Sequence, residues 1–258
     1  MRKAVVSGQF YPSNKEELKK QVNLLLGSHN LTDIRAAIVP HAGYLFSGKC
    51  AAQVYKQLGK IDTVIILGTN HSGLGSRISF SFEDFETPLG IVKNDIEIVE
   101  ELVTRKENLD ISVNEDAHKY EHSIEVQLPF LKFLGNVKIV PILIGELSEP
   151  EIKKFAKIIS GLINKSGKKN KKIFFLASSD MTHYGSNYSF VPFKENIKEN
   201  LEKLDSSILD RVLKLDLSGF LKLAEKLTVC GKYPIALSIE LARILKLRPE
   251  KICYYSSG

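Results

Sequence analysis

The 258-residue sequence has little cysteine: only Cys50, Cys230 and Cys253. They form no CxxC pair and no zinc-finger spacing, and they are too few and too scattered for a disulfide framework. Reduced thiols fit a cytoplasmic protein, and we expect that location.

Long apolar runs are also missing. Although 43% of the residues are hydrophobic, no run approaches the ~20 residues that a membrane-spanning helix needs. The opening residues MRKAVVSG turn polar too soon for a signal peptide. We therefore expect no membrane partner.

Phosphate-binding loops are absent, because neither GxGxxG nor GxxxxGK[ST] occurs, and this argues against nucleotide cofactors of those types. No GxSxG nucleophile elbow is present either. The net charge of +6 is modest, and the densest basic run, residues 165–172, is typical of a solvated loop. Nothing matches a nucleic-acid-binding module, so we expect no nucleic-acid partner.

Apolar, β-branched segments alternate with segments of helical periodicity along the chain. This alternation predicts an α/β fold with a central, mostly parallel or mixed sheet and helices on both faces. No linker divides the chain, so we expect a single domain over residues 1–258. Strands are expected at 36–40, 63–68, 77–82, 137–144, 172–178 and 251–255. Helices are expected at 14–26, 47–59, 96–106, 150–163, 193–212, 217–227 and 234–247, and around 122–133, where Pro129 kinks a helix or starts a new one.

Three histidines, His41, His71 and His183, each follow the end of an apolar run. Because the carboxyl ends of parallel strands share one edge of a sheet, these side chains are expected to converge. Cys230 stands in a turn outside any helical stripe, whereas Cys50 and Cys253 look like core residues. Histidines and a thiolate in one cleft indicate a metal site or acid–base chemistry, and the alternative for each histidine is an ordinary loop residue.

His118 and His122 are four residues apart, a spacing that would place both on one face of a helix. Lys119 follows His118 where a zinc-protease helix has glutamate, so the motif is weak. We interpret His118 as a solvated surface residue and His122 as functional, with Glu121 and Glu125 as candidate partners of the His122 ring.

Asp180 lies three residues before His183, close enough to hold the tautomer of that imidazole and to raise its basicity. This pair suits a general acid or base. The alternative is that Asp180 only caps a turn or a helix. Either Asn70 or Ser72 is a candidate for orienting the His71 ring by a hydrogen bond, as metal-ligating histidines usually require.

Several segments occur in an order that resembles the MEMO family, also called protein B of the AmmeMemoRadiSam system. They are SGQFYP at 7–12, PHAGY at 40–44, LGTNH at 67–71, EHSIEVQLPF at 121–130, SSDMTH at 178–183 and CG at 230–231. The resemblance covers nearly the whole chain. It implies a fold similar to the class III extradiol (LigB-type) dioxygenases, which hold non-haem iron with two histidines and a carboxylate.

The corresponding MEMO triad is two histidines and a cysteine, which the resemblance carries over to His41, His71 and Cys230. His183 then matches the acid–base histidine of the dioxygenases, with Asp180 and His122 nearby. The residues expected to line the pocket are Tyr44, Phe46 and Asn70. Family members usually continue past a segment like 254–258, so the resemblance implies a further terminal strand. Without that strand, a sheet edge or part of the pocket would stay open.

A thiolate in place of the carboxylate shifts the metal preference toward copper, zinc or thiolate-bound iron. The resemblance thus implies an iron or copper site in a redox or modification pathway, with a radical-SAM protein and an AMMECR1-like protein of the same system as partners. Two alternatives stay open. One is a non-catalytic module that binds a small molecule, a peptide or a partner protein in the pocket; the other is an extradiol dioxygenase that acts on catechols.

Overall fold

The computed structural model describes residues 1–168 and 170–257. Its strands are β1 (Ala36–Val39), β2 (Thr63–Thr69), β3 (Ile78–Phe80), β4 (Phe85–Thr87), β5 (Gly90–Val92), β6 (Ile111–Val113), β7 (Lys138–Ile144) and β8 (Ile173–Ser178). Its α-helices are α1 (Lys15–Leu26), α2 (Tyr44–Tyr55), α3 (Ile96–Thr104), α4 (Glu115–Lys119), α5 (Leu128–Leu134), α6 (Glu149–Gly167), α7 (Ile197–Leu213), α8 (Leu217–Ala224) and α9 (Lys232–Ile244). Short 3-10 turns lie at Glu125–Gln127 and Ser186–Tyr188.

Six strands form one mixed sheet in the order β1-β8-β2-β7-β3-β6, and β4 and β5 form a separate hairpin. All neighbouring pairs of the large sheet are parallel except β3 with β7. The expected mostly parallel or mixed α/β sheet is therefore confirmed.

Helices cover both faces of this sheet, as expected. Every residue of β2 is buried, which is typical of a parallel strand between two helical layers. Val64 and Ile66 pack into one core with α1, α2 and α5, while Ile65 and Leu67 pack into the other with α3, α6, α8 and α9. The period-2 alternation of side chains along a strand thus assigns successive β2 residues to opposite cores.

Two expected elements need correction. The helix expected at 47–59 begins at Tyr44, and Ser47 is not its cap, since the Ser47 hydroxyl donates to the Ala42 carbonyl at 2.6 Å from inside the first turn. Residues 251–255 form no strand. There the hydroxyl of Tyr254 donates to Asp205 at 2.9 Å, and the segment packs through side chains instead of joining the sheet.

Pro129 lies in the first turn of α5, so of the two alternatives it starts a new helix. Within the described ranges, no helix is both long enough and apolar enough to cross a membrane.

Candidate metal centre

The candidate site lies at the edge of the sheet where β1, β8 and β2 end. These three strands are neighbours and run parallel, so the residues that follow them emerge side by side. His41 follows β1, His71 follows β2 and Asp180 follows β8. Of the three histidines that the strand-end argument named, His41 and His71 meet, with ring centroids 5.4 Å apart. His183 lies five residues beyond β8 and packs on Tyr188 instead, so Asp180 takes its place at this edge.

Cys230 reaches the same edge from the loop before α9. An antiparallel bridge between Thr182 and Val229 holds this loop against the chain that leaves β8. The amide of Gly231 donates to the Ser179 hydroxyl at 2.9 Å, and a Cβ built on Gly231 would lie only 2.2 Å from the Cβ of Ser179. Glycine is thus required after the cysteine because the two backbones approach so closely.

The His41 ring is buried and its orientation is fixed. Its Nδ1 lies 3.0 Å from the Ser178 hydroxyl oxygen, which also receives the Gln127 amide at 2.9 Å and donates its own proton to the Ser123 carbonyl at 2.6 Å. Since the single Ser178 proton is already used, this oxygen accepts from His41 Nδ1. The Nε2 atom of His41 then faces Cys230.

The Cys230 sulfur lies 3.3 Å from His41 Nε2, and the Asp180 amide also donates to it at 3.3 Å. Burial alone raises the pKa of this thiol, but the charge of His41 and hydrogen bonds from His41 and His71 outweigh burial and lower the pKa to about 5. The arrangement therefore favours a thiolate at neutral pH.

Glu121 holds the His71 ring. One carboxylate oxygen accepts the His71 backbone amide at 2.8 Å and the other lies 2.9 Å from Nδ1. Burial is the largest single influence and raises the pKa of Glu121, but the hydrogen bonds from His71 and Ser123 and the charge of His71 together outweigh it and lower the pKa to about 2. For His71, hydrogen bonds to Cys230 and Glu121 overcome burial and raise the pKa to about 10. Because a carboxylate only accepts hydrogen bonds, the proton of this bond is on His71 Nδ1, which donates it to Glu121.

His122 adds a third imidazole. Its ring stacks on His71 at a centroid distance of 4.7 Å and stands edge-on to His41 at 5.3 Å. Burial, and then the charge of His41, lower the pKa of His122 to about 4. Among the described residues, two groups bring their ligand atoms within 4.8 Å of one another: His41, His71 and His122, and His41, Asp180 and Cys230. His41 is common to both.

The segment that carries Glu121 and His122 comes close to β2 because Gly68 has no side chain. A Cβ on Gly68 would lie 2.6 Å from Ile124 and 2.7 Å from the Ser123 hydroxyl. The Ser123 hydroxyl donates to the Thr69 carbonyl at 3.0 Å, so the segment is fastened to the end of the strand.

Asp180 and His183 do not contact each other as the sequence suggested. An Asp180 oxygen accepts the His41 backbone amide at 2.8 Å, and the other lies 3.9 Å from His41 Nε2. His183 Nδ1 instead donates to the Thr228 carbonyl at 3.1 Å, and its ring packs on Tyr188 at 4.7 Å. Asp180 thus anchors the loop after β1.

A cavity of about 1030 Å³ opens beside the cluster. Its wall includes Phe46, Asp180, His183 and Tyr188, whereas His41, His71 and Cys230 are not among its lining residues. Phe46 is half-exposed there. A space of this size accommodates a ligand larger than dioxygen.

The other candidate residues lie elsewhere. Tyr44 is buried in the core, where its hydroxyl donates to the Val126 carbonyl at 2.9 Å. Asn70 holds its own loop by donating to the Leu74 carbonyl at 2.8 Å. His118 is not a solvated surface residue, because it is buried with Nε2 2.9 Å from the Ser79 carbonyl.

Neither His118 nor Glu125 has the relation to His122 that the sequence predicted. Helix α4 ends at Lys119, so His118 and His122 share no helical face. Glu121 lies 3.5 Å from His122 Nδ1, whereas Glu125 forms an ion pair with Arg2.

Sequence reasoning missed Ser178, which orients His41, and it assigned Glu121 to His122 without recognising its hydrogen bond to His71. Both lie inside motifs already recognised, SSDMTH and EHSIEVQLPF. For Ser178 the local signal is a polar residue at the end of an apolar run, and this signal does not say which distant ring the residue meets.

These features define an α/β protein with a histidine–cysteine cluster at the carboxyl edge of its sheet. The chain belongs to the Memo-like protein family, whose model matches residues 2–258. It is 37% identical over 266 residues to a MEMO1 family protein of Methanosarcina barkeri, covering all of this chain and 93% of that protein. The MEMO1 family proteins of Pyrococcus abyssi and Sulfolobus acidocaldarius are 35% and 40% identical over 275 and 280 residues, each covering 100% of this chain and 93% of the relative. The MEMO resemblance seen in the sequence is therefore confirmed.

Proposed function

We propose that this protein binds one redox-active metal ion, iron or copper, through His41, His71 and Cys230, and that it acts in a redox or modification pathway. One observation carries the proposal. The Cys230 sulfur and His41 Nε2 lie 3.3 Å apart, and His41 is held for ligation by a hydrogen bond at its other ring nitrogen.

The donor set fits such a metal. Nδ1 of His41 and Nδ1 of His71 are occupied by Ser178 and Glu121, which leaves each Nε2 for a ligand and reproduces the outer hydrogen bonds typical of metal-binding histidines. The lowered pKa of Cys230 favours the thiolate that a metal requires. Thiolate and imidazole together suit copper, zinc or iron, and iron or copper would supply one-electron chemistry.

Three residues beside this donor set are proposed for proton handling. His183 faces the cavity with Nδ1 committed to Thr228, and its Nε2 has no hydrogen-bond partner among the described residues, so it can take up or release a substrate proton. Neutral His122 is available as an acceptor beside His41. Asp180 keeps the His41 loop in place through the backbone amide.

The test is elemental analysis of protein purified without a metal-affinity tag and reconstituted anaerobically with Fe(II) or Cu(I). Near-stoichiometric metal is expected in the wild type, with loss in His41→Ala, His71→Ala and Cys230→Ser. The matched controls are His29→Ala, which changes an exposed histidine, and Cys253→Ser; both should keep their metal. A wild-type protein that takes up no metal would refute the proposal.

Two further variants separate the alternative donor sets. Under the proposal, His122→Ala and Asp180→Asn keep metal at the wild-type level. A thiolate-to-metal charge-transfer band should appear in oxidised protein and be absent in Cys230→Ser. Full metal retention in Cys230→Ser, with loss in His122→Ala, would instead assign the three-histidine set.

The proposal includes a cytoplasmic location and two partners, a radical-SAM protein and an AMMECR1-like protein of the same system. Co-expression of the three chains, with a tag on one of the other two, tests whether this chain is retained. Retention that survives high salt supports the pathway assignment. If this chain is not retained, the two partners are removed from the proposal, whereas the proposed metal site is unaffected.

A second candidate, a binding module for a peptide or a partner protein, is favoured by the cavity of about 1030 Å³ with half-exposed Phe46 on its wall. Ligand binding that persists after chelation, and in His41→Ala, would favour this function. Ring cleavage of catechols is less well supported, because a thiolate takes the place of the carboxylate that extradiol enzymes use.

A further inference from the structure

One buried carboxylate of this protein lacks the cation that the others have. In the described part of the chain, the buried acidic residues are Asp95, Glu121, Glu125, Asp205 and Glu240. Four of them form ion pairs, namely Asp95 with Lys171, Glu121 with His71, Glu125 with Arg2 and Glu240 with Arg243. Asp205 is the exception, because no nitrogen of a described Lys, Arg or His side chain lies within 4.0 Å of its carboxylate oxygens. A buried charge without a partner is costly, so its presence requires an explanation.

Asp205 has hydrogen-bond donors, but both are neutral. The Thr182 backbone amide donates to one carboxylate oxygen at 3.2 Å, and the Tyr254 hydroxyl donates to the other at 2.9 Å. A carboxylate accepts at about four lone-pair positions, so about two remain free. Burial raises the pKa of Asp205, and the hydrogen bonds from Thr182 and Tyr254 only partly offset that effect. The negative charge is therefore not compensated within the described chain.

This carboxylate lies on the wall of the cavity of about 1030 Å³. Asp205 is on α7, and Leu201 and Leu209, four residues to either side of it on the same helical face, line the cavity with it. The half-exposed rings of Phe46 and Tyr188 belong to the same wall. The other charged residues that line the cavity are exposed or only partly buried, so Asp205 is its one buried charge among the described residues.

We propose that this cavity binds a small organic ammonium ion and that Asp205 is its counter-ion. An ammonium group supplies what the carboxylate lacks, namely a positive charge and N–H donors for the free lone pairs. The apolar body of the ligand packs on the aliphatic and aromatic wall, and the aromatic faces also attract cations. A largely apolar cavity with one charged group is typical of sites that orient a small ligand. The proposal does not rest on a metal at the histidine–cysteine cluster.

Asp205 also connects three parts of the chain, which are α7, the loop after β8 and the segment 247–257 beyond α9. Tyr254→Phe breaks one of these connections but leaves the charge of Asp205 in place. Asp205→Asn keeps an acceptor oxygen of nearly the same position but removes the charge that attracts a cation. The two substitutions therefore separate the anchoring of the chain from the binding of a ligand.

The test compares benzylamine with benzyl alcohol, which share one ring and differ in the charge of the terminal group. Binding to the full chain is measured at neutral pH by isothermal titration calorimetry. The protein is first freed of metal with a chelator, because an amine also binds to metal ions. We expect benzylamine to saturate the wild type at millimolar concentrations and to bind about tenfold or more tightly than the alcohol, since a hydrogen bond to a charged group is the stronger kind.

In Asp205→Asn, the preference for the amine should fall to about twofold or less, with little change in the affinity for the alcohol. Tyr254→Phe should keep the preference, and so should Glu250→Gln, which neutralises an exposed carboxylate on the same wall. Equal binding of the two probes to the wild type, or no saturable binding of benzylamine, would overturn the proposal without any variant.

Two results in the variants would also overturn it. One is an amine preference that persists in Asp205→Asn, and the other is a preference that Tyr254→Phe loses to the same extent, which would assign the effect to anchoring. Because metal-free protein is used throughout, failure of this proposal leaves the proposed metal site unaffected.

Discussion

The carboxylate of Glu125 connects the N-terminal segment to the motif that carries the site residues, and its removal gives the sharpest stability prediction. Glu125 is fully buried and accepts the backbone amides of Val5 and Val6 at 3.0 Å and the hydroxyl of Tyr11 at 2.6 Å. It also forms an ion pair with Arg2, which is equally buried. The two oxygens of this carboxylate therefore satisfy two backbone amides, one hydroxyl and one guanidinium.

Arg2 has further partners that fix its position. Its Nε donates to the His118 carbonyl at 3.1 Å, its Nη2 donates to the Glu121 carbonyl at 2.5 Å, and its guanidinium lies 5.4 Å from the centre of the Phe85 ring. The guanidinium cannot turn to solvent without breaking all of these contacts. If Glu125 loses its charge, the buried cation has no counter-ion.

Glu125→Gln keeps the size of the side chain but removes the charge and replaces one acceptor oxygen with a donor. Breaking a buried pair by neutralising one partner costs about 3–5 kcal/mol, which is a large part of a typical stability of about 5–15 kcal/mol. With a urea m-value of about 3 kcal/mol/M, the unfolding midpoint should fall by about 1 M or more.

The assay is urea unfolding at pH 7 of Glu125→Gln, Arg2→Met and the double variant, followed by circular dichroism. The double variant should lose less stability than the two single losses together, by about 1–3 kcal/mol, because neither remaining partner is then left charged and alone. Glu86→Gln is the control, since its pair with Lys3 is exposed and should contribute about 1 kcal/mol or less. A loss below about 1 kcal/mol in Glu125→Gln, or strict additivity in the double variant, would refute the reasoning.

Three further substitutions test other parts of the structure. Gly231→Ala should lower the metal content and destabilise the fold by about 1–3 kcal/mol, because the new Cβ would overlap Ser179; metal analysis and urea unfolding measure this. Glu121→Gln should weaken metal binding about 10–100-fold, because the His71 Nδ1 proton loses its carboxylate, and competition with a chelator measures the affinity. Burial lowers the pKa of His118 from 6.5 to about 4. Between these two pH values the unfolded chain therefore binds more protons than the folded chain. Stability should therefore fall by up to about 3 kcal/mol as the pH drops from 6.5 to 4, and His118→Gln should reduce that slope.

Each of these has a control or a contrary outcome. Gly161→Ala, in α6 with nothing within 4 Å of the new Cβ, should leave both metal content and stability intact, so an equal loss there would discount the Gly231 argument. Unchanged metal affinity in Glu121→Gln would mean that the carboxylate does not support the ligand. An identical pH slope in wild type and His118→Gln would assign the acid sensitivity to other groups.

The main strands and the meeting of His41 with His71 were accessible from the sequence, because apolar periodicity is a local property and parallel strands end on the same side. The expected convergence of His183 was not met, because its ring packs on Tyr188. The short strands β4, β5 and β6 were missed, since three residues are too few to show a period. The strand expected at 251–255 was wrong because its apolar run packs through side chains.

By itself, the sequence determined the α/β layers, the mostly parallel sheet and the family motifs, because each of these depends on the order of residues within short segments. Only the tertiary structure decided the pairings. It brought Ser178 to His41, Glu121 to His71 and Arg2 to Glu125. These contacts depend on strand order and on how loops cross the sheet edge. A local pattern fixes which way a side chain points, whereas the residue it meets is set by the packing of distant segments.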